Sequence, residues 1–208
     1  MPSFRHRLKP AQQREYDRSN RVTAIPLPVS ARMRRAIELL EESLAREDRT
    51  RTERIAQILS DEICTALRVP GARVCVEGVR RSNRRGELHG LFTSGPNSKA
   101  RIQVWMFTAK RRQVVAFKTF LRTLLHEVCH HLDYELLRLS ESLHTDGFFQ
   151  RESSLVRQLA NPMSGARAGG ANGAADPRVT RVEDAGSRAS APRASLAKEV
   201  AAKVRNLS

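Results

Sequence analysis

The sequence predicts an α+β fold, and three observations carry that reading. Two stretches before residue 70 repeat apolar residues at helical spacing. Three stretches between residues 73 and 107 alternate apolar and polar residues. A long apolar-rich segment, Phe117 to Leu139, then returns to helical spacing. The expected order is two N-terminal helices, a small three-stranded antiparallel sheet, a long helix and a final helix.

Met1 to Asn20 is polar, basic and aperiodic, and is expected to form a disordered or loosely docked arm. Arg21 to Val29 carries Val22, Ile25 and Leu27 among two prolines, which favours an extended lead-in. Residues 1–29 therefore precede a domain spanning 30–160. Ser30 can cap the first helix, whose stripe is Met33, Ala36, Ile37, Leu40 and Leu44. Thr50 and Glu53 read as a capping box opening the second, with Ile55, Ile58, Leu59, Ile63, Ala66 and Leu67 as its apolar face. Pro70-Gly71 ends it.

Arg73 to Val79 alternates as a strand, and Glu87 to Thr93 and Arg101 to Phe107 follow after short turns. The short links predict an antiparallel meander with Arg101 to Phe107 as its last strand. The long helix is expected from Val114 to Leu139. After a break at Ser140 to Leu143, Thr145 or Asp146 can cap a last helix reaching Leu159, with Phe148, Phe149, Leu155, Val156 and Leu159 turned to the core. Residues 161–208 are rich in Ala, Gly, Ser, Arg and Pro and read as a disordered tail, with a short inducible helix over Leu196 to Val204.

The chemistry concentrates in the long helix. His126-Glu127-Val128-Cys129-His130 is an H-E-x-x-H motif. Positions i and i+4 share a helix face, so His126 and His130 can bind one ion while Glu127 handles a proton from water. A catalytic zinc site needs three protein ligands and an open position. Asp133 lies seven residues, roughly 10 Å, beyond His126, too far to share its ion. It fits better as a partner supporting His130. His131 points about 100° away from His130. His144, after the break and at the opening of the next helix, is the expected third ligand. Glu152 and then Glu141 are the carboxylate alternatives. His89 and His6 fit structural or exposed roles. Tyr134 and Arg151 are the residues considered as further donors to an oxyanion. The edge strand Arg101 to Phe107 could dock an extended peptide as an added strand.

Net charge is +15, from 37 Lys and Arg against 22 Asp and Glu. The charge either is solvated or attracts nucleic acid, and composition does not separate the two. Arg80, Arg81, Arg84 and Arg85 are expected to cluster with Lys110, Arg111 and Arg112 at one end of the sheet, either as a solvated loop pair or as a nucleic-acid-binding patch. Trp105 and Phe107 could stack on bases or sit in the core. Three scattered cysteines, Cys64, Cys75 and Cys129, form no C-x-x-C pair and suggest no disulfide framework. The basic N-terminus lacks an apolar signal core, and no run of about 20 apolar residues exists. These features predict a cytoplasmic protein without a membrane partner.

Leu124-Leu125-His126-Glu127-Val128-Cys129-His130, followed by His144-Thr145-Asp146-Gly147-Phe148-Phe149, resembles the SprT-like zinc metallopeptidase domain. The likeness in order of elements extends over Ser30 to Ala160. The resemblance implies a zincin-like fold, Zn2+ on His126, His130 and His144, and peptide hydrolysis through a metal-activated water with Glu127 as general base. It also implies protein or peptide substrates, in some relatives proteins associated with DNA. Two departures stand out: His144-x-x-Gly-Phe differs from the family's H-G-x-x-F-like pattern, and no four-cysteine zinc ribbon follows. The alternative is a non-catalytic zinc-binding or nucleic-acid-binding module on the same fold.

Overall fold

Ser30 opens the first of the two expected helices. Its Oγ accepts the Met33 N–H at 3.0 Å, capping α2 (Ala31–Ala45), and Met33, Ala36, Leu40 and Leu44 are buried along one face. α3 spans Arg49–Ala66, but Asp48 rather than Thr50 caps it, accepting the Arg51 N–H at 2.9 Å. Glu53, the other half of the expected capping box, reaches the sheet instead. The computed structural model describes residues 4–83, 86–95 and 98–160. The tail 161–208, with the helix expected over Leu196 to Val204, lies outside the described residues.

The sheet differs from the expected meander. It is mixed, with strands in the order β1-β5-β4, where β1 is Arg73–Val79, β4 is Gly90–Gly95 and β5 is Ser98–Phe107. β1 runs parallel to β5, with Val74 opposite Ile102 and Val76 opposite Val104, and β4 runs antiparallel to it. Between β1 and β4 the chain makes a small ribbon of β2 (Ser82–Asn83) and β3 (Gly86–Glu87). Arg101 to Phe107 is thus the centre of the sheet, not its edge. The reason lies in its two faces. Ile102, Val104 and Met106 are fully buried on one side, and Trp105 is buried on the other, so the strand belongs between two neighbours.

The outer edge of β1 is closed by α3. Gln57 accepts the Val74 N–H at 2.8 Å and donates to Ala72 O at 2.9 Å. Glu53 accepts the Val76 N–H at 2.9 Å, and Arg49 donates to Val76 O at 3.0 Å. Side chains thus occupy backbone groups that a further strand would need. β4 forms the opposite edge.

The N-terminal segment is not a loose arm. A 3-10 turn, Phe4–Arg7, leads into α1, Pro10–Arg21. Periodicity could not reveal α1, because Ser19 is its one buried residue and polar contacts hold it. Residues 22–30 form no helix or strand, with extended backbone at Val22 and Ser30, and Ile25 and Leu27 enter the core.

α4 runs over Phe117–Glu135, shorter than expected at both ends, because Val114 bridges to Phe107 and the Leu139 N–H turns back to Asp133 O at 2.9 Å. α5 is Asp146–Ala160, capped by Thr145, whose Oγ1 accepts the Phe148 N–H at 3.0 Å. Phe148, Leu155 and Leu159 join the core with the apolar faces of α2, α3, α4 and the sheet. Phe149, expected there too, is 45% exposed. Among the described residues no helix is long and apolar enough to cross a membrane.

Candidate metal centre

α4 presents His126 and His130 one turn apart, and the loop after α4 returns His144 to them. His144 Nε2 lies 3.0 Å from His126 Nε2 and 3.1 Å from His130 Nε2. Ligand atoms of all three lie within 4.8 Å of one another. Two imidazole nitrogens on one tetrahedral Zn2+ stand about 3.3 Å apart, given bonds of roughly 2.0–2.1 Å. Two edges of the triangle are close to that value, so the three imidazoles fit a single ion. Phe148, fully buried at the opening of α5, lies against all three rings, with centroids 4.7–5.1 Å away.

The outer nitrogens explain why the inner ones point lone pairs inward. His126 Nδ1 meets Glu152 Oε2 at 2.9 Å, and a carboxylate there requires the Nδ1–H tautomer. His130 Nδ1 meets Ser142 Oγ at 2.7 Å, and Ser142 donates its own proton to Asp133 Oδ2 at 2.7 Å. His130 must therefore donate from Nδ1, leaving the Nε2 lone pair free. Two lone pairs so directed at a third imidazole nitrogen favour a cation among them. Burial, then the neighbouring His126 and His144, hold the His130 pKa well below its ordinary value, which keeps it neutral and able to ligate.

Glu127 is 5% exposed. Burial pushes its carboxyl up to about 7, against the opposing pull of His126 and the Phe92 backbone amide. The space for it comes from Gly90 in β4: a Cβ there would stand 2.8 Å from Glu127 Cγ and Cδ. A carboxyl with a pKa near neutrality is matched to taking up and returning a proton.

The remaining expected residues sort clearly. Asp133 supports His130, but through Ser142 rather than by touching it. It is fully buried against Arg151, whose Nη2 donates to Asp133 Oδ1 at 2.8 Å. Burial raises the Asp133 pKa, opposed by Arg151 and Ser142. Arg151 is itself fully buried and faces Ser19 and Val22, so it is no oxyanion donor. Tyr134 Oη accepts the Ser142 N–H at 3.3 Å, and its ring stacks on Phe92. Glu152 lies behind His126, between it and Arg122, on the Nδ1 side of the ring and away from the nitrogen that faces His144. Glu141 accepts from Gln12 at 2.9 Å. His131 is buried and bonds Pro70 O at 2.7 Å, while His89 and His6 are exposed outside the triad.

Ser142, Arg122 and Gly90 were not singled out by the sequence. Gly90 carried a usable signal, since glycine within a strand marks a close approach. Ser142 carried none, being one serine in a polar break.

The basic cluster is only partly assembled. The Arg80 N–H donates to Phe107 O at 2.9 Å, so the exits of β1 and β5 lie together, and Arg81, Lys110, Arg111 and Arg112 are exposed there. The Arg80 side chain is buried, 3.6 Å from Glu87, and faces away from any phosphate in solvent. Arg84 and Arg85 lie outside the described residues. Trp105 is 4% exposed and belongs to the core, not to a base-stacking surface.

Comparison with protein-family models, with curated proteins and with solved structures returns no match to the chain, so the reading of the site rests on its own geometry.

Proposed function

We propose that the chain is a zinc-dependent metalloendopeptidase of the SprT-like kind, with His126, His130 and His144 holding the metal and Glu127 as general base. The observation that carries this reading is the convergence of three imidazole nitrogens beside a buried carboxyl whose pKa is about 7. When bound, a zinc ion supplies a Lewis acid that polarises a carbonyl and acidifies water. Glu127 takes the proton of the attacking water and returns it to the leaving amine. Glu152 and Ser142 hold the rings of His126 and His130 in their ligating tautomer. β4 supports the substrate side of the reading. Its outer edge has no partner strand among the described residues, and Gly90 and Phe92 stand over Glu127 and His130. An extended peptide adding to that edge would bring its backbone to the carboxyl. Exposed Phe149, stacked on His144 with centroids 5.7 Å apart, offers an apolar wall for a side chain.

The test is cleavage of an unfolded protein. The zinc-loaded chain cleaves it, a chelator stops the reaction and added zinc restores it. Glu127→Gln keeps its zinc and loses about 10²–10⁴-fold in rate. Equal cleavage by Glu127→Gln would remove the general base and the reading with it. The exposed Arg81, Lys110, Arg111 and Arg112 favour a second reading, a zinc-holding module that binds nucleic acid without turnover. Zinc binding and DNA binding with no cleavage under any condition would select it.

A further inference from the structure

His144 reaches the other two histidines from residues 136–145, a stretch with no helix or strand. The ring itself is exposed, so burial does not fix it. What holds this loop is α1. Gln12 Nε2 donates to Glu141 Oε2 at 2.9 Å, and the Ser140 N–H donates to Glu15 Oε2 at 2.8 Å. Arg18 Nη2 donates to Leu137 O at 3.2 Å and Arg138 O at 3.4 Å. Ser19 Oγ pairs with Thr145 Oγ1 at 2.9 Å, next to His144, and Asn20 Oδ1 accepts the Gly147 N–H at 2.8 Å. α1 side chains from Gln12 to Asn20 therefore bind the loop at points from Leu137 to the first turn of α5.

The contacts also run in a revealing direction. Leu137 O, Arg138 O and the Ser140 N–H, backbone groups outside any helix or strand, find their partners on α1 side chains. α1 in turn has a single buried residue, Ser19. It gains little from apolar burial, and its residues are spent on loop 136–145 and the first turn of α5. The same end of α1 reaches the other side of the centre: Arg151 donates to Ser19 O and Val22 O, each at 2.6 Å, and to Asp133, which orients Ser142 beneath His130.

We propose that α1 is a clamp for the third metal ligand, and that Glu15 and Arg18 are positioning residues that set metal affinity through His144. The inference rests on the three-histidine metal reading above. A helix near the start of the chain, with no residue in the triad, then decides whether the site is a three-ligand or a two-ligand one.

The experiment is a zinc titration of the full chain by chelator competition, with cobalt absorption as a second readout of ligand number. Outer partners of metal ligands are worth about 10–100-fold in affinity. Glu15→Ala/Arg18→Ala should weaken zinc binding by about that factor and shift the cobalt spectrum toward that of His144→Ala. In a His144→Ala background the same pair should cost no more than about threefold, because coupled changes are not additive. Gln12→Ala removes one contact to the loop, at Glu141, together with the bond from the Lys9 N–H at the start of α1, and should weaken binding by a few-fold. Equal loss in both backgrounds, or undiminished affinity in the double variant and in Gln12→Ala, would overturn the clamp while leaving the metal site standing. No zinc binding by the unaltered chain would overturn the metal reading, and the clamp with it.

Discussion

Single atoms decide the site at two glycines. Gly90 leaves room for the Glu127 side chain, which a Cβ would approach to 2.8 Å at Cγ and Cδ. Gly90→Ala should therefore displace the carboxyl, cutting cleavage on the order of 100-fold, the cost of about 1 Å of misplacement. Zinc affinity should stay within a few-fold of the unaltered chain, because the nearest atoms a Cβ would meet all belong to Glu127. A kinetic assay paired with a zinc titration checks both halves, and unchanged turnover would contradict the placement of Glu127. Gly147 is different. Its Cβ would meet the backbone of α1, 2.7 Å from Asn20 Cα, where no side chain can swing aside. Gly147→Ala should destabilise the fold by about 1–3 kcal/mol, the usual cost of overpacking, read by urea unfolding. The glycine in His144-x-x-Gly-Phe thus serves the seat of α1, which explains its position two residues inside α5's N-cap.

At the scale of elements, what was legible tracked apolar periodicity. α2, α3, β1, β5, α4 and α5 were all expected near their observed places, because each has a buried stripe or alternating face. α1 was not, since its partners are hydrogen-bonding groups 119–132 residues away in the chain for Arg18, Ser19 and Arg151. Sheet order was not legible either. Short links argued for a meander, but β5 is buried on both faces and takes the centre. Helix ends escaped for another reason: Glu47 and Arg68, not glycines, adopt left-handed φ values of 55° and 56° after α2 and α3. α1 also carries a pH dependence. Burial pushes the Glu15 carboxyl up, but the Ser140 amide and Arg18 outweigh it, so its pKa falls below the ordinary 4.5. A lowered folded pKa means stability that is present above pH 4.5 and lost as pH falls through the folded value. Glu15→Gln should therefore flatten the metal-free chain's stability curve below that pH, measured by urea unfolding across pH. An unchanged curve would mean that Glu15 does not hold the loop in solution.

For the whole molecule, one end of the sheet presents Arg81, Lys110, Arg111 and Arg112 to solvent in a chain of net charge +15. If those four residues contact phosphates, DNA affinity should fall with a log–log salt slope of about −3 to −4, and neutralising them together should remove most of it. A flat salt response would leave the charge as a solvated surface. The three-histidine cluster was the most legible part of the molecule: His126 and His130 by their i, i+4 spacing, His144 by the break that had to return the chain. Its outer partners, Ser142 and Arg122, needed the fold. The central claim is that these three histidines form one metal site. Zinc stoichiometry and affinity of the full chain beside His144→Ala test it most directly. The account predicts one zinc per chain, bound at least about tenfold more weakly once the third imidazole is gone. Unchanged stoichiometry and affinity in His144→Ala would contradict it.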